Sequence, residues 1–181
     1  MTTTAQTPLY TLTPEDKVLP VMAYTNSAMY WGEVVVREAV RVSTWLRTQN
    51  APDRVRLYNA RVMGSTGTPQ AKPQHFSEVF IATTQINVFH MIPPHKDPVD
   101  YDPTEPNRKM EPVTLLISNF RIDGHLRLAT MGSVSKFLEV VRENFTSIYD
   151  AKISHPNNPS FGVILVPYVI VRQELTVFTV P

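Results

Sequence analysis

The chain has 181 residues, no cysteine and a formal net charge of +1. The lack of cysteine excludes disulfides, thiolate nucleophiles and cysteine-ligated metals. Without a block of like charges there is also no strong electrostatic argument for a nucleic-acid or membrane partner. No apolar run reaches the roughly 20 residues that a membrane span needs, and residues 1–17 lack the features of a signal peptide. We therefore expect a globular cytoplasmic protein.

The first half of the chain has strand character interrupted by one short helical stripe. Residues 1–19 are expected to form an N-terminal tail. Strands are then predicted at 21–25, 31–38, 54–63, 78–82 and 86–89. Between the second and third strands, Val42, Trp45 and Leu46 have helical spacing. Arg41 precedes this stripe and is a poor N-cap, so the cap of this helix must come from elsewhere.

The second half repeats the same order of elements. A strand at 113–117 is followed by strict alternation at 121–128, a helical stripe that includes Val134 and Phe137, and strands at 144–153 and within 168–180. Ser133 is the expected N-cap of this helix. Gly32 and Gly124 are 92 positions apart, as are Trp45 and Phe137. The pattern therefore predicts a tandem duplication.

The expected organisation is a first β repeat at 20–93, a proline-rich acidic linker at 94–111 and a second β repeat at 112–181. Five short strands per repeat suit a small, partly closed barrel or a bent sheet. Each repeat of about 70 residues buries only a modest core by itself. We therefore predict a mainly β fold with short helices, in which the repeats pack together with pseudo-twofold symmetry.

The run from Gly32 through 41–46 to 57–62 resembles a widespread, uncharacterised bacterial domain. That domain has a glycine in its second strand, Arg-x-Ser-x-x-Leu at a helix start and Leu-x-Asn/Asp-Ala in the next strand. In the second repeat Ser133 replaces the arginine, whereas Ser135, Leu138, Asp150 and Ala151 remain. The closing strands at 79–91 are also similar to the closing hairpin of Sm-like barrels. Neither resemblance carries an active site that can be transferred to this chain.

No residue pattern indicates an enzyme. The histidines are scattered, and the chain has neither a nucleophile elbow nor a phosphate-binding glycine loop. Ser43 and Ser135 fall in first helical turns, where hydroxyls serve local hydrogen bonds. His95 and the linker aspartates would suit either a cation site or, as we favour, a solvated acidic linker. We expect no catalytic residue, cofactor, metal or small-molecule substrate, although a site built from both repeats would escape spacing rules.

Aromatic and arginine residues in the first repeat are the candidate interaction surface. They depart from the second repeat at these positions: Tyr30, Trp31, Arg37, Arg41, Arg54 and Arg56. Rings paired with guanidinium groups are typical of protein–protein hot spots. We therefore predict a non-enzymatic interaction, scaffold or regulatory module that self-associates or binds a protein partner. The alternative is a small-barrel RNA-binding protein, because arginines interleaved with rings also suit nucleic acid.

Overall fold

The structure is a computed structural model that describes residues 10–64 and 72–180. Residues 1–9 of the predicted tail lie outside this range. The strands are β1 (Asp16–Tyr24), β2 (Ala28–Arg37), β3 (Arg54–Gly64), β4 (Gln74–Ala82), β5 (Val88–Met91), β6 (Arg108–Ile117), β7 (Phe120–Ala129), β8 (Phe145–Ser154), β9 (Val163–Arg172) and β10 (Val177–Thr179). The helices are α1 (Val134–Val140) and the 3-10 helices Val42–Arg47, Thr83–Gln85, Pro159–Phe161 and Gln173–Leu175.

All ten strands form one antiparallel sheet in the order β10-β6-β7-β8-β9-β5-β1-β2-β3-β4. We call β1–β5 the first half, β6–β10 the second half and residues 92–107 the connecting segment. In each half the fifth strand lies beside the first. The halves meet where β5 pairs with β9, with Val88 opposite Val171 and Phe89 opposite Ile170; we call this contact the joint. The prediction of a mainly β fold is confirmed, and the sheet is open.

A bulge occurs at the same place in both halves. The β2–β3 register shifts at Gly32, and the β7–β8 register shifts at Gly124. A Cβ atom on Gly32 would lie 2.7 Å from the carbonyl oxygen of Tyr58, and one on Gly124 would lie 2.8 Å from that of Tyr149. The facing strands carry left-handed residues next to these carbonyls, Asn59 with φ 49° and Asp150 with φ 48°. Only glycine therefore permits this close approach.

The apolar core continues across the joint in both directions. The cluster inside the first half includes Phe145 and Ile170 of the second half. The cluster inside the second half includes Tyr24 and Val88 of the first half. All four side chains are at most 1% exposed. Because burial of such a side chain stabilises a fold by about 1.5–3 kcal/mol, each half contributes to the stability of the other.

The helices are short and lie at the margin of the core. The Ser133 side chain accepts a hydrogen bond from the Lys136 amide at 3.2 Å, which confirms the predicted cap. Leu46 is 3% exposed, whereas Trp45, Phe137 and Leu138 are only half-buried. Helical spacing predicts that Trp45, Leu46, Phe137 and Leu138 are all buried, and this prediction is wrong for all of them except Leu46. A helix of about two turns covers the edge of a core and not its centre.

Strand structure extends beyond the predicted repeat boundaries. β1 begins at Asp16 and β6 begins at Arg108, in each case four residues before the repeat start expected at 20 or 112. In the described ranges, no helix is both long and apolar enough to cross a membrane.

Candidate interaction surfaces

The two rings of the predicted surface do not share a face. Tyr30 packs against the core of the first half, and Trp31 packs against the core of the second half. Both are half-buried. Consecutive strand residues point to opposite sides of a sheet, so this pair cannot form one exposed aromatic patch.

The arginines of the predicted surface are divided between two places. Arg37 ends β2 and Arg54 begins the antiparallel strand β3, which brings both to one end of the sheet near Arg56. Arg41 instead donates to the carbonyl oxygen of Pro98 in the connecting segment. Arg37 pairs with Glu15, whereas no acceptor within the described ranges is recorded for Arg54. Arg37 and Arg41 therefore already have acceptors within the chain.

Arg56 is the centre of an aromatic cluster. Its guanidinium lies 4.6 Å from the ring centroid of Tyr58 and 5.3 Å from that of Phe80. The guanidinium also pairs with Glu78 at 2.7 Å. Phe80 is 55% exposed and Phe76, on the same strand, is 44% exposed. The predicted combination of arginine and exposed ring thus exists, but the exposed rings belong to β4 and not to β2.

Both outer edges of the sheet are open. Within residues 10–64 and 72–180, no strand pairs with the outer side of β4 or of β10. Leu116 lies opposite Val177 on the β10 side, and the two are 44% and 59% exposed. Phe80 has a similar exposure on β4. Apolar side chains on an unpaired edge favour pairing with a further strand.

Arg172 closes one end of the joint. Its Nε donates to the carbonyl oxygen of Ile86 at 2.9 Å, and its terminal nitrogen donates to that of Thr83. The guanidinium stacks over Phe145 at 4.5 Å, and the residue is 4% exposed. A buried guanidinium needs such acceptors, so Arg172 ties β9 to the 3-10 helix that precedes β5.

The connecting segment caps the first helix. Oδ2 of Asp97 accepts from the Ser43 amide at 2.9 Å and from its hydroxyl at 2.6 Å. Tyr168 of the second half donates to the same hydroxyl. The cap that Arg41 does not supply thus comes from 54 residues away. The prediction of local hydrogen bonds is therefore wrong for the Ser43 hydroxyl, which bonds to two residues distant in sequence that spacing could not reveal.

Asp100 lies in the same polar cluster. It accepts hydrogen bonds from Arg47 at 2.9 Å, Tyr149 at 2.5 Å and Ser147 at 3.2 Å. Burial, with the Asp100 carboxylate adding to the effect, raises the pKa of Tyr149, so this hydroxyl stays protonated. Asp102 instead accepts from Thr104 at an exposed turn. The aspartates point to separate partners, and among the described residues no group of three acids or histidines is placed to hold a metal.

An open cleft of about 800 Å³ lies beside the joint, and Arg47, Arg54, Arg142 and Arg172 contribute to its lining. Arg47 pairs with Asp100 and Glu143, and Arg172 is buried against backbone carbonyls. Asp53 and Glu143 also line the cleft. Two of the four arginines are therefore already bound within the chain, and Arg54 and Arg142 are the cations of the cleft that have no carboxylate partner among the described residues.

Comparison with protein-family models, curated proteins and solved structures finds no match to this chain.

Proposed function

We propose that the chain is a tandem duplication of a five-stranded unit and that it works as a self-associating structural module. The duplication is supported by the equal strand order of the halves, by the bulges at Gly32 and Gly124, and by the left-handed residues Asn59 and Asp150. The joint pairs the fifth strand of one half with the fourth strand of the other. A twofold axis would pair like strands, so this contact favours a head-to-tail relation over pseudo-twofold symmetry.

The observation that carries the function is the composition of the open edges. Monomeric proteins usually protect edge strands with charge, proline or a covering element. Here β4 has nine residues and carries Phe76 and Phe80 exposed. At the opposite edge Val177 and Val180 are exposed, as is Leu116 on the adjacent strand β6. A protein that buries both edges against further copies accounts for these side chains.

The arrangement of cations gives less support to RNA binding. Arg37, Arg41 and Arg56 each have an acceptor in the chain. An RNA surface needs guanidinium groups that can replace counterions at phosphates. Self-association through apolar edges is accordingly the better account, and it predicts little loss of assembly when salt is raised from low to moderate concentration.

Light scattering coupled to size exclusion tests this proposal. The wild-type chain should elute with a mass that is a multiple of 20.5 kDa at high micromolar concentration. Phe80→Glu should shift the mass to that of one chain while the melting temperature stays close to that of wild type. Leu165→Glu is the matched control, since Leu165 is 68% exposed on β9 and away from both outer edges. A wild-type chain that is monomeric at every concentration would disprove the proposal.

A further inference from the structure

We propose, on the basis of the self-association put forward above, that β4 of one copy pairs with β10 of a second copy and thereby repeats the joint between chains. The joint pairs the fourth strand of one half with the fifth strand of the other half. The strands left open at the ends of the sheet are the remaining fourth strand, β4, and the remaining fifth strand, β10. The partner is therefore another copy of this chain.

The internal register fixes which residues correspond on the β10 side. Phe89 lies opposite Ala23, and Phe178 lies opposite Leu115. Ala23 and Leu115 are 92 positions apart, as the two bulge glycines are. Phe178 is thus the counterpart of Phe89, and Val177 is that of Val88.

The same reasoning applies to β4. Ile81 lies opposite Val55, and Val171 lies opposite Thr146. Val55 and Thr146 are 91 positions apart, as Ala60 and Ala151 are. Ile81 therefore corresponds to Val171, and Phe80 corresponds to Ile170. Transferred to two copies, the joint places Phe178 opposite Phe80 and Val177 opposite Ile81.

Exposure at these positions supports the pairing. Ile170, Val88 and Tyr24 are buried at the joint, with at most 1% exposed. Their counterparts at the outer edges are Phe80, Val177 and Leu116, which are 55%, 59% and 44% exposed. Positions that are buried at the joint thus have apolar counterparts at the outer edges, where no described residue covers them. Pairing of β4 with β10 buries all three.

Arg54 supplies the cation of this contact. At the joint Arg172 lies opposite Phe145 and binds the carbonyl of Thr83 in the 3-10 helix before β5. The corresponding opposite pair in the first half is Arg54 and Ala82. Each half thus has one arginine in this opposite pair. It lies on the fourth strand in the second half and on the third strand in the first half. In the assembly we assign Arg54 to the carbonyl groups of the 3-10 helix Gln173–Leu175 of the next copy, which precedes β10 as Thr83–Gln85 precedes β5.

Cysteine cross-linking tests the register, because the chain has no cysteine of its own. Phe80→Cys and Phe178→Cys are made as two single variants, mixed and mildly oxidised. The mixture should form a disulfide-linked dimer on a non-reducing gel, and neither variant alone should do so. Phe80→Cys mixed with Val163→Cys is the control, since Val163 is 52% exposed but lies outside the proposed contact.

The results separate this inference from the proposed function. Dimers of Phe80→Cys alone would show that β4 pairs with β4 and would overturn the inference. An assembled wild-type chain whose mixed variants do not cross-link would overturn the inference and leave self-association standing. A wild-type chain that stays monomeric would disprove both the strand pairing and the proposed self-association. Arg54→Ala should weaken assembly by about tenfold. Arg61 is an exposed arginine elsewhere on β3, and Arg61→Ala should leave assembly unchanged. Equal effects of the two substitutions would exclude Arg54 from the contact.

Discussion

Tyr149 donates its hydroxyl proton to Oδ1 of Asp100 at 2.5 Å and so ties a strand of the second half to the connecting segment. The other oxygen of this carboxylate pairs with Arg47 of the first half at 2.9 Å. The Asp100 side chain is only 12% exposed. One residue therefore holds together three parts of the chain that are distant in sequence.

Asp100→Asn should destabilise the fold by about 1–3 kcal/mol, because the amide cannot replace the charge and both acceptor oxygens. Urea unfolding at neutral pH measures this. Asp102→Asn is the control. The exposed Asp102 carboxylate accepts a hydrogen bond from Thr104 in its own turn and has Arg127 nearby. Its replacement should cost less than about 1 kcal/mol of stability. Equal losses of unfolding free energy for the two variants would mean that the Asp100 hydrogen bonds stabilise the fold no more than an exposed turn does.

Acid should destabilise the protein through His90. His90 is 1% exposed; its Nδ1 donates to the Met91 carbonyl oxygen at 2.8 Å, and its Nε2 accepts from Tyr24 at 2.9 Å. Burial lowers the pKa of His90 from 6.5 to about 4. The unfolded chain therefore binds the proton first, so stability is present above pH 6.5 and falls by up to about 3 kcal/mol as the pH drops towards 4.

The pH dependence of urea unfolding for wild type and His90→Gln checks this expectation. The variant should be less stable at pH 7 but should lose less stability between pH 6.5 and 4.5. Parallel curves for the two proteins would show that other groups cause the acid sensitivity.

Gly32→Ala should cost about 1–3 kcal/mol, because the new Cβ would meet backbone atoms of Tyr58 and Ala60 that cannot move aside cheaply. Gly64→Ala is the matched control at the end of β3, where the nearest atom among the described residues, apart from the chain neighbours, is 3.9 Å away. Thermal unfolding of both variants compares them directly. If the control lost as much stability as Gly32→Ala, the close approach at the bulge would not be the cause.

Arg172→Met should lower the stability of the whole fold by about 1–3 kcal/mol, because the carbonyls of Ile86 and Thr83 lose their donor. Arg142→Met serves as the comparison, since Arg142 lies at the surface of the same cleft. Native-state hydrogen exchange should show the greatest loss of protection in β5 and β9. An effect confined to the local 3-10 helix would contradict a role in the joint.

The sequence predicted those elements whose signal is local. The strands expected at 54–63 and 144–153 match β3 and β8 within one residue at each end, because alternation and turn residues are short-range features. The start of β1 at Asp16 was missed, since its first residues pair with β2 but show no clear alternation before Pro20.

The candidate surface was predicted only in part, for a physical reason. Arg56 was identified, and an exposed ring does lie over it, but that ring is Phe80. The sequence does show that Phe76, Glu78 and Phe80 occupy every second position and so lie on one face of a strand. It does not reveal that β4 is an edge strand, because strand order depends on contacts between distant segments. The Asp97–Ser43 bond escaped prediction for the same reason.

The joint is a ladder of only two residue pairs, and its strength depends on being within one chain. A short covalent tether presents each half to the other at an effective concentration on the order of millimolar. Two separate chains that pair through a ladder of the same length meet only at the concentration of the protein in solution, so their contact is weaker than the joint. Assembly through the outer edges should therefore appear and disappear with dilution, while each chain stays folded. Such a protein would respond to its own abundance.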